Sequence, residues 1–250
     1  MASAETSRWR ATCAYDGAEF LGWQSQKGGG TVQDYLETRL AAIFHQPVRL
    51  HGSGRTDGGV HARAQVFHFD AIWTHPVENL LRALNAGRPR SLLVTSLRRA
   101  MPEFHARFSA KGKRYCYRIY LGYAPPFTAR YCWSLGDRAL DLSAVRAAAK
   151  RLVGRHDFTA FAGRRLEESE QPVKDLRRFD ITQRGRQITF TLEASGFLYK
   201  MARGLVGGLV AVGQGKLTVD EIEKILHARH RTPAITTAPP EGLCLEKVFY

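Results

Sequence analysis

The order of strand-like and helix-like segments is the feature that most limits the folds open to this sequence of 250 residues. Short β-prone runs are mixed with amphipathic segments, but they do not alternate one by one, as a parallel βαβ arrangement would require. The first run, RWRATCAYDG, ends at Asp16-Gly17, and another, GLCLEKVFY, covers the last nine residues. The pattern therefore predicts an α+β fold with a largely antiparallel sheet.

Apolar residues recur at helical spacing in five segments. The predicted helices begin at Thr31, Pro76, Ser143, about Phe197 and Thr218. Thr31 and Ser143 are expected to be N-caps, and Thr218 forms a capping box with Glu221. Three glycines, at 204, 207 and 208, weaken the fourth helix. Their expected benefit is a close approach of the helix backbone to another element.

Further strand-like runs, rich in β-branched and aromatic residues, lie between these helices. They are VRLHGSG, ARAQVFHFD, SLLVTSLRRA, KRYCYRIYLG and the hairpin RRFDITQRGRQITFTLEA, whose turn is expected near Gly185. A chain of this length can form one large domain or two modest ones with cores of their own. A soft boundary is expected near residues 101–105, which divides the chain into 1–104 and 105–250.

The charge balance favours a polyanionic partner. Lys and Arg number 37 against 23 Asp and Glu, a formal net charge of +14, which is typical of proteins that bind nucleic acid. From Arg88 to Arg118 there are nine basic residues and one acidic residue, and aromatic side chains such as Phe104, Phe108 and Tyr117 interleave with them. Basic groups neutralise phosphates and flat rings stack on unpaired bases. The alternative is a soluble basic protein whose charge has no specific partner.

Nothing in the sequence indicates a membrane protein or a secreted one. No run approaches the roughly 20 apolar residues of a membrane span, and MASAETSRWRATC lacks the apolar core of a signal peptide. The four cysteines are scattered without a C-x-x-C pair, so neither a zinc site nor a disulfide framework is expected. The expected location is the cytoplasm.

The stretch GSGRTDGGVHA at 52–62 places one carboxylate, Asp57, among glycines and two residues after Arg55. Glycines permit a tight backbone and leave room for a ligand. The carboxylate could be a nucleophile, a general base, a metal ligand or a turn residue. Because Asp side chains often bond backbone amides in Gly-rich turns, this stretch alone favours the turn.

Two other interpretations of the same region have weaker support. Five residues of types that bind metals fall within twenty positions: His51, Asp57, His61, His68 and Asp70. Neither H-E-x-x-H nor a paired-Asp motif accompanies them. A phosphate-cradling loop at 52–54 lacks the Lys-Ser/Thr ending of a P-loop and precedes an extended segment. No metal site is therefore predicted.

The segment GRTDGGVHA at 54–62 resembles the active-site motif of the tRNA pseudouridine synthase A family. Four further blocks resemble the family's other blocks in the same order. They are YDGAEFLGWQSQ with TVQDYLE, FHARFSAKGKRYCYRIY, GFLYKMARGLVGGLVAVGQGK and APPEGLCLEKVFY. The sequence departs from the family pattern at Gly58, where the family usually has Ala, and at 234–237, where AITT replaces the common Ala-Gly-Pro-Thr.

The resemblance implies both a fold and an activity. The fold would be two similar α/β subdomains that share a central, largely antiparallel mixed sheet flanked by helices, with an active-site cleft between them. Subdomain 1–104 would carry the catalytic loop, and 105–250 the stacking tyrosine and an arginine partner. The protein would be an isomerase that converts uridine to pseudouridine at positions 38, 39 and 40 of the tRNA anticodon stem-loop. It would act as a homodimer without a cofactor.

The resemblance also assigns roles to four residues. Asp57 matches the catalytic nucleophile, and Arg55 is its motif partner. Tyr115, in KRYCY, matches the tyrosine that stacks on the target base, and Arg203, in YKMAR, matches the arginine that pairs with the catalytic aspartate. These groups suit the chemistry, since a nearby guanidinium keeps a carboxylate ionised and an aromatic face compensates for unstacking a base.

Two alternatives from other functional classes remain. A non-catalytic RNA-binding protein of the same fold would bind tRNA without isomerising it. The joint presence of Asp57, Tyr115 and Arg203 argues against this alternative. A metal-dependent phosphoesterase built on the His/Asp cluster would cleave the strand and would be inhibited by a chelator, whereas isomerisation would survive chelation.

Overall fold

A computed structural model describes residues 5–167 and 170–250, which contain ten β-strands and six α-helices. The described chain divides into two compact units. The first comprises the residues up to Lys111 together with Leu245–Tyr250, and the second comprises Gly112–Cys244. The division into subdomains 1–104 and 105–250, with the roles assigned to them, stays a prediction.

The first unit is built on a run of paired strands. Its elements are β1 (Ser7–Tyr15), α1 (Val32–Phe44), β2 (Leu50–Gly52), β3 (His61–Ala71), α2 (Val77–Asn85), β4 (Leu92–Ala100) and β10 (Leu243–Phe249, from Leu245 onwards). Strand β1 pairs with both β3 and β4, and β2 pairs with β3, all antiparallel. Strand β3 also has β10 as a neighbour.

Helix α1 begins where the sequence predicts. The Thr31 hydroxyl accepts the N–H of Asp34 at 3.2 Å, and the Asp34 carboxylate accepts the Thr31 N–H at 3.2 Å. This reciprocal pair satisfies two backbone donors that the first turn leaves unpaired. The buried face of α1 includes Leu36 and Leu40, which belong to the core of this unit.

The second unit combines a β-hairpin with three longer helices. Its elements are β5 (Gly112–Tyr120), α3 (Pro126–Ala129), β6 (Trp133–Ser134), α4 (Leu142–Leu152), β7 (Gly154–Asp157), β8 (Val173–Arg184), β9 (Gln187–Ala194), α5 (Met201–Gly213) and α6 (Val219–Ala228). Strands β8 and β9 form the predicted hairpin around Gly185, which has φ +57°. Strand β5 pairs with β9 and strand β7 pairs with β8, both antiparallel, whereas the short β6 is parallel to β5. The predicted α+β class with a largely antiparallel mixed sheet is therefore confirmed.

Two helix starts differ from the sequence predictions. The N-cap of α4 is Asp141, not Ser143, because the Asp141 carboxylate accepts the N–H groups of Ser143 and Ala144. Helix α5 begins at Met201, not near Phe197, because Lys200 adopts a left-handed conformation with φ +56°. Both errors arise because a local polar group or an unusual dihedral overrides the apolar periodicity.

The glycines of α5 have the predicted role. A Cβ on Gly207 would lie 2.0 Å from the carbonyl oxygen of Thr236, and one on Gly204 would lie 2.5 Å from that of Phe161. Both positions therefore need glycine to let other backbone segments approach the helix. All thirteen residues of α5 are buried. No helix in the described parts of the chain is long and apolar enough to cross a membrane.

Candidate active site

Asp57 lies in the loop that joins β2 to β3, at the start of a tight turn. The Val60 N–H donates to the Asp57 carbonyl at 3.1 Å, and Gly59 adopts φ +79° within the turn. Gly59 N–H also donates to the carbonyl of Gly17 at 3.2 Å. The aspartate is half-buried. The glycine-rich stretch is thus an ordered turn that holds a half-buried aspartate.

The first half of this loop is fixed by two buried polar side chains. Ser53 Oγ lies 2.6 Å from Gln65 Oε1, to which it donates, and Gln65 Nε2 donates to the carbonyl of Gly54 at 2.8 Å. The Ser53 N–H donates to the carbonyl of Val66 at 2.7 Å. Ser53 and Gln65 were not identified by the sequence analysis. The only sequence signal for them is a pair of polar residues in segments otherwise expected to be buried.

The segment that follows β1 holds the second half of the loop. Trp23 N–H donates to the carbonyl of Thr56 at 3.1 Å, and the Tyr15 hydroxyl lies 2.8 Å from Thr56 Oγ1. A Cβ on Gly22, which has φ +94°, would lie 2.7 Å from the Thr56 carbonyl oxygen. A Cβ on Gly17 would lie 2.1 Å from that of Val60. Glycines outside the motif therefore shape the loop as much as those within it.

Arg55 is exposed at the tip of the same loop. Its Nε donates to Gln24 Oε1 at 3.2 Å, and Gln24 Nε2 donates to Gln33 Oε1 at 2.8 Å. This chain of amide contacts ties the arginine to the start of α1. An exposed guanidinium anchored in this way can bind a phosphate or occupy the space left by a displaced base.

Tyr115 and Arg203 belong to the second unit, whereas Asp57 and Arg55 belong to the first. Tyr115 lies on β5 and is 7% exposed, with its ring edge-to-face against Phe197 at 4.9 Å. Such an aromatic pair fixes the orientation of the tyrosine ring. Its role in base stacking stays a prediction.

Arg203 lies in the first turn of α5 and is 9% exposed. Its Nε donates to the carbonyl of Ala238 at 2.7 Å, and the Ala238 N–H donates back to the Arg203 carbonyl at 3.1 Å. The neighbouring Tyr117 hydroxyl donates to the Pro239 carbonyl at 2.8 Å, and burial raises the pKa of this phenol, so it remains a donor. Arg203 is thus a nearly buried guanidinium whose Nε is held by a backbone carbonyl.

The residues that suggested a metal site have other contacts. His51 and His68 stack at 5.0 Å, and His68 Nδ1 accepts the N–H of Ala106 at 3.1 Å. Asp70 forms a bidentate ion pair with Arg8, which lowers the pKa of that carboxyl group. Within residues 5–167 and 170–250 no three His, Cys, Asp or Glu side chains are grouped as metal ligands.

The basic segment 88–118 contains both structural and exposed cations. Arg88 donates to the carbonyl of Leu92 at 2.9 Å, and Arg114 pairs with Glu193 at 2.7 Å. The other cations that fall in the first unit are exposed: Arg90, Arg98, Arg99, Arg107 and Lys111. These five are the cations of the segment that are most available to an anionic partner in that unit.

Comparisons with known proteins agree with the resemblance seen in the sequence. A family model described as tRNA pseudouridine synthase matches residues 11–109 and 148–250. A protein of Solidesulfovibrio magneticus named tRNA pseudouridine synthase A is 43% identical, over 98% of this chain and 91% of its own length. Proteins of the same name from Zymomonas mobilis and Neisseria meningitidis are 41% and 40% identical, over 98% and 100% of this chain and 100% and 94% of theirs.

Proposed function

The chain belongs to the tRNA pseudouridine synthase family, and from this we propose that it is an isomerase that converts uridine to pseudouridine in tRNA. The observation that carries the proposal is the similarity over the full chain to proteins named tRNA pseudouridine synthase A. The ordered, partly accessible Asp57 in its glycine turn supplies a suitable reactive group.

The reaction needs few groups from the protein. The N1–C1′ bond of uridine breaks, the base turns, and C5 bonds to C1′. The C5 proton then leaves and N1 gains one, so no oxidant, reductant or second substrate is consumed. Asp57 attacks the nucleotide covalently or assists glycosidic cleavage, and it must be ionised to do so. The hydrogen bonds of Thr56 and Val60 fix the backbone on both sides of this carboxylate.

We assign the remaining sequence-predicted roles as part of the same proposal. Arg203 is the cation that pairs with Asp57 and orients it, since a guanidinium forms strong, directional hydrogen bonds with a carboxylate. Tyr115 stacks on the target base, and Arg55 binds the backbone or fills the space that the base leaves. A flipped nucleotide costs a few kcal/mol of stacking, which such contacts offset.

The substrate and setting are proposed from the family resemblance. The expected target is the anticodon stem-loop, at positions 38, 39 and 40, and the expected enzyme is a cytoplasmic homodimer. Exposed cations of the 88–118 segment would hold the tRNA backbone. Binding to phosphates releases counterions, so the affinity for tRNA should fall steeply as salt is raised.

One experiment tests the reaction and its nucleophile together. The protein is incubated with an unmodified tRNA transcript in a chelator, and pseudouridine is mapped chemically. Asp57→Ala and Asp57→Asn are run alongside, with Asp220→Asn as the matched control because Asp220 is an exposed acid in the first turn of α6. We expect pseudouridine on the 3′ side of the anticodon arm from the parent and the control, and none from either Asp57 variant.

The other outcomes identify the alternatives. A parent protein that binds the transcript but forms no pseudouridine would be a non-catalytic RNA-binding protein of this fold. Strand cleavage that appears only without chelator would indicate a metal-dependent phosphoesterase. Normal product formation by Asp57→Ala would remove Asp57 from the nucleophile role while leaving the activity intact.

A further inference from the structure

The loop at residues 101–111, which follows β4, is tied firmly to the rest of the first unit. Arg8 donates to the carbonyl oxygens of Pro102 and Phe104, the latter at 3.1 Å. Ala106 N–H donates to His68 Nδ1 at 3.1 Å, and its carbonyl accepts the Tyr250 hydroxyl at 2.7 Å. Contacts from three strands or their ends therefore hold this loop in one conformation.

This ordered loop displays an aromatic ring to solvent. Phe108 is 77% exposed. His105 Nδ1 accepts the N–H groups of Arg107 and Phe108 at 3.1 and 3.3 Å, which fixes the backbone beneath the ring. The Phe108 ring lies 4.3 Å from the His105 ring, and Arg107 Cζ lies 5.6 Å from its centroid. The His105 ring in turn lies 4.6 Å from that of buried His68.

Because Phe108 is exposed, it does not contribute the free energy that a buried phenylalanine adds to folding. Burying a phenylalanine side chain is worth about 1.5–3 kcal/mol, yet the contacts of the loop keep Phe108 out of the core. The ring contacts His105 and Arg107, and most of its surface remains open. A rigid, supported and accessible ring is suited to a flat partner, because little conformational entropy is lost when the partner binds.

The exposed charges of the loop and of the end of β4 indicate the chemistry of that partner. Arg98, Arg99, Arg107 and Lys111 are exposed in or just before the loop, and Glu103 is the one acidic residue between 98 and 111. Apolar surfaces that bind proteins are usually depleted of charge at their centre. A flat apolar ring among cations matches a nucleobase that is linked to phosphates.

We propose that Phe108, supported by Arg107 and His105, is a stacking platform for an unpaired base of the substrate RNA. The neighbouring cations at 98, 99 and 111 bind the flanking phosphates. The inference rests on the proposed function only in taking tRNA as the substrate. It adds a substrate contact to those of Asp57, Arg55, Tyr115 and Arg203, and it places that contact on the first unit, in the loop that follows β4.

The first test measures binding of an unmodified tRNA transcript to Phe108→Ala and Phe108→Trp. Loss of one stacked base weakens binding by about 5- to 150-fold, so Phe108→Ala should lose affinity within that range while Phe108→Trp retains it. Phe127→Ala is the matched control, since Phe127 is 96% exposed on α3 in the second unit. Because Phe108 is exposed, neither variant should change the melting temperature.

The second test uses Phe108→Trp as a fluorescent reporter, with the parent spectrum subtracted. A single-stranded oligoadenylate should quench the added indole more strongly than an RNA duplex of equal length and charge, since only unpaired bases can stack. Equal quenching by both, or tRNA affinity of Phe108→Ala equal to that of the parent, would overturn the platform. So would a changed oligomeric state of Phe108→Ala in sedimentation with unchanged tRNA affinity, which would indicate a contact with a second copy.

These readouts separate the inference from the proposed reaction. Binding titrations do not need turnover, and pseudouridine formation by the parent is measured on its own. If the parent forms pseudouridine and Phe108→Ala binds normally, the platform is wrong and the reaction stands. If the parent forms none but Phe108→Ala loses affinity, the platform stands and the reaction is wrong.

Discussion

The hydroxyl of Tyr15 lies 2.8 Å from Thr56 Oγ1, and both side chains are buried where β1 ends beside the loop that carries Asp57. Thr56 directly precedes the aspartate, and its carbonyl accepts the N–H of Trp23. The side chain and the backbone of one residue therefore fix the position from which the carboxylate projects. Precise placement of a reacting group is worth several kcal/mol in an enzyme barrier.

Tyr15→Phe should lower the turnover number more than it changes tRNA affinity. It removes one partner of a buried hydroxyl, which costs about 1–3 kcal/mol of stability, and it loosens the residue next to Asp57. Denaturant unfolding and single-turnover kinetics measure the two effects. The double variant Tyr15→Phe/Thr56→Val should lose less unfolding free energy than the two single variants lose together. In the double variant neither hydroxyl of the pair remains without its partner. Strictly additive losses would contradict the coupling.

Gly22→Ala should damage the same loop through the backbone. The residue adopts φ +94°, and its new Cβ would lie 2.7 Å from the Thr56 carbonyl oxygen and 3.1 Å from the Gly58 nitrogen. Backbone strain and a forced shift of the loop together should lower stability by more than about 1 kcal/mol and reduce the rate of pseudouridine formation. A thermal melt and a rate assay measure both. Full activity with an unchanged melt would show that the loop is not set by this contact.

Gly58→Ala, one residue after Asp57, should have the opposite effect. A Cβ at 58 would have its nearest neighbour, the carbonyl carbon of Leu21, at an ordinary 3.6 Å, and the residue is not in the left-handed region. Replacing glycine where the backbone suits alanine stabilises a protein by about 0.4–1 kcal/mol. We expect retained activity and a melting temperature about 1–4 °C higher. A fall in activity would mean that residue 58 needs glycine for the reaction, and a lower melting temperature would mean that the backbone at 58 does not suit alanine.

Local signals predicted much of the fold correctly. The predicted N-cap at Thr31 and the predicted capping box at Thr218 are each contained within four residues, so the sequence shows them completely. The predicted start of α5 was wrong because the apolar stripe continues across Lys200, whose left-handed backbone prevents the helix from starting earlier. The predicted cap of α4 was wrong because Asp141, two residues before Ser143, accepts the N–H groups of the first turn.

The site shows a similar division between local and distant information. Asp57 and Arg55 lie two residues apart in one short motif, and that motif identified both. Ser53 and Gln65 are twelve residues apart and meet only when β2 and β3 pair, so no short pattern connects them. The roles of Tyr115 and Arg203 depend on the family resemblance and stay predictions, since burial and a backbone contact are also properties of structural residues.

Arg203→Lys distinguishes a functional role from a structural one. Both Arg203→Lys and Arg203→Ala lose the Nε donor to the Ala238 carbonyl, so both should be less stable by about 1–3 kcal/mol. If the guanidinium also orients Asp57, Arg203→Ala should lower the turnover number by about tenfold or more, whereas Arg203→Lys retains a charge and should lose less. Single-turnover kinetics and denaturant unfolding measure the two effects, and equal turnover in both variants would leave Arg203 with a structural role only.

The stability of the first unit should depend on pH through His68. Burial lowers the pKa of this imidazole to about 4, helped by the positive charges of His105, Arg8 and His51 and opposed by Asp70. In the unfolded chain the pKa is about 6.5. Because the unfolded state binds the proton first, the stabilisation is complete above about pH 6.5 and is lost as pH falls towards 4. The contribution is roughly 2–3 kcal/mol.

His68→Asn tests this dependence, because the asparagine Oδ1 can still accept the Ala106 N–H that His68 Nδ1 accepts. Urea unfolding of parent and variant at several values between pH 4 and 7 gives the free energy of unfolding of each. Carboxyl groups titrate in both proteins and cancel in the difference. The parent should therefore lose roughly 2–3 kcal/mol more than the variant over this range. Parallel curves would show that His68 is protonated in the folded protein as readily as in the unfolded chain.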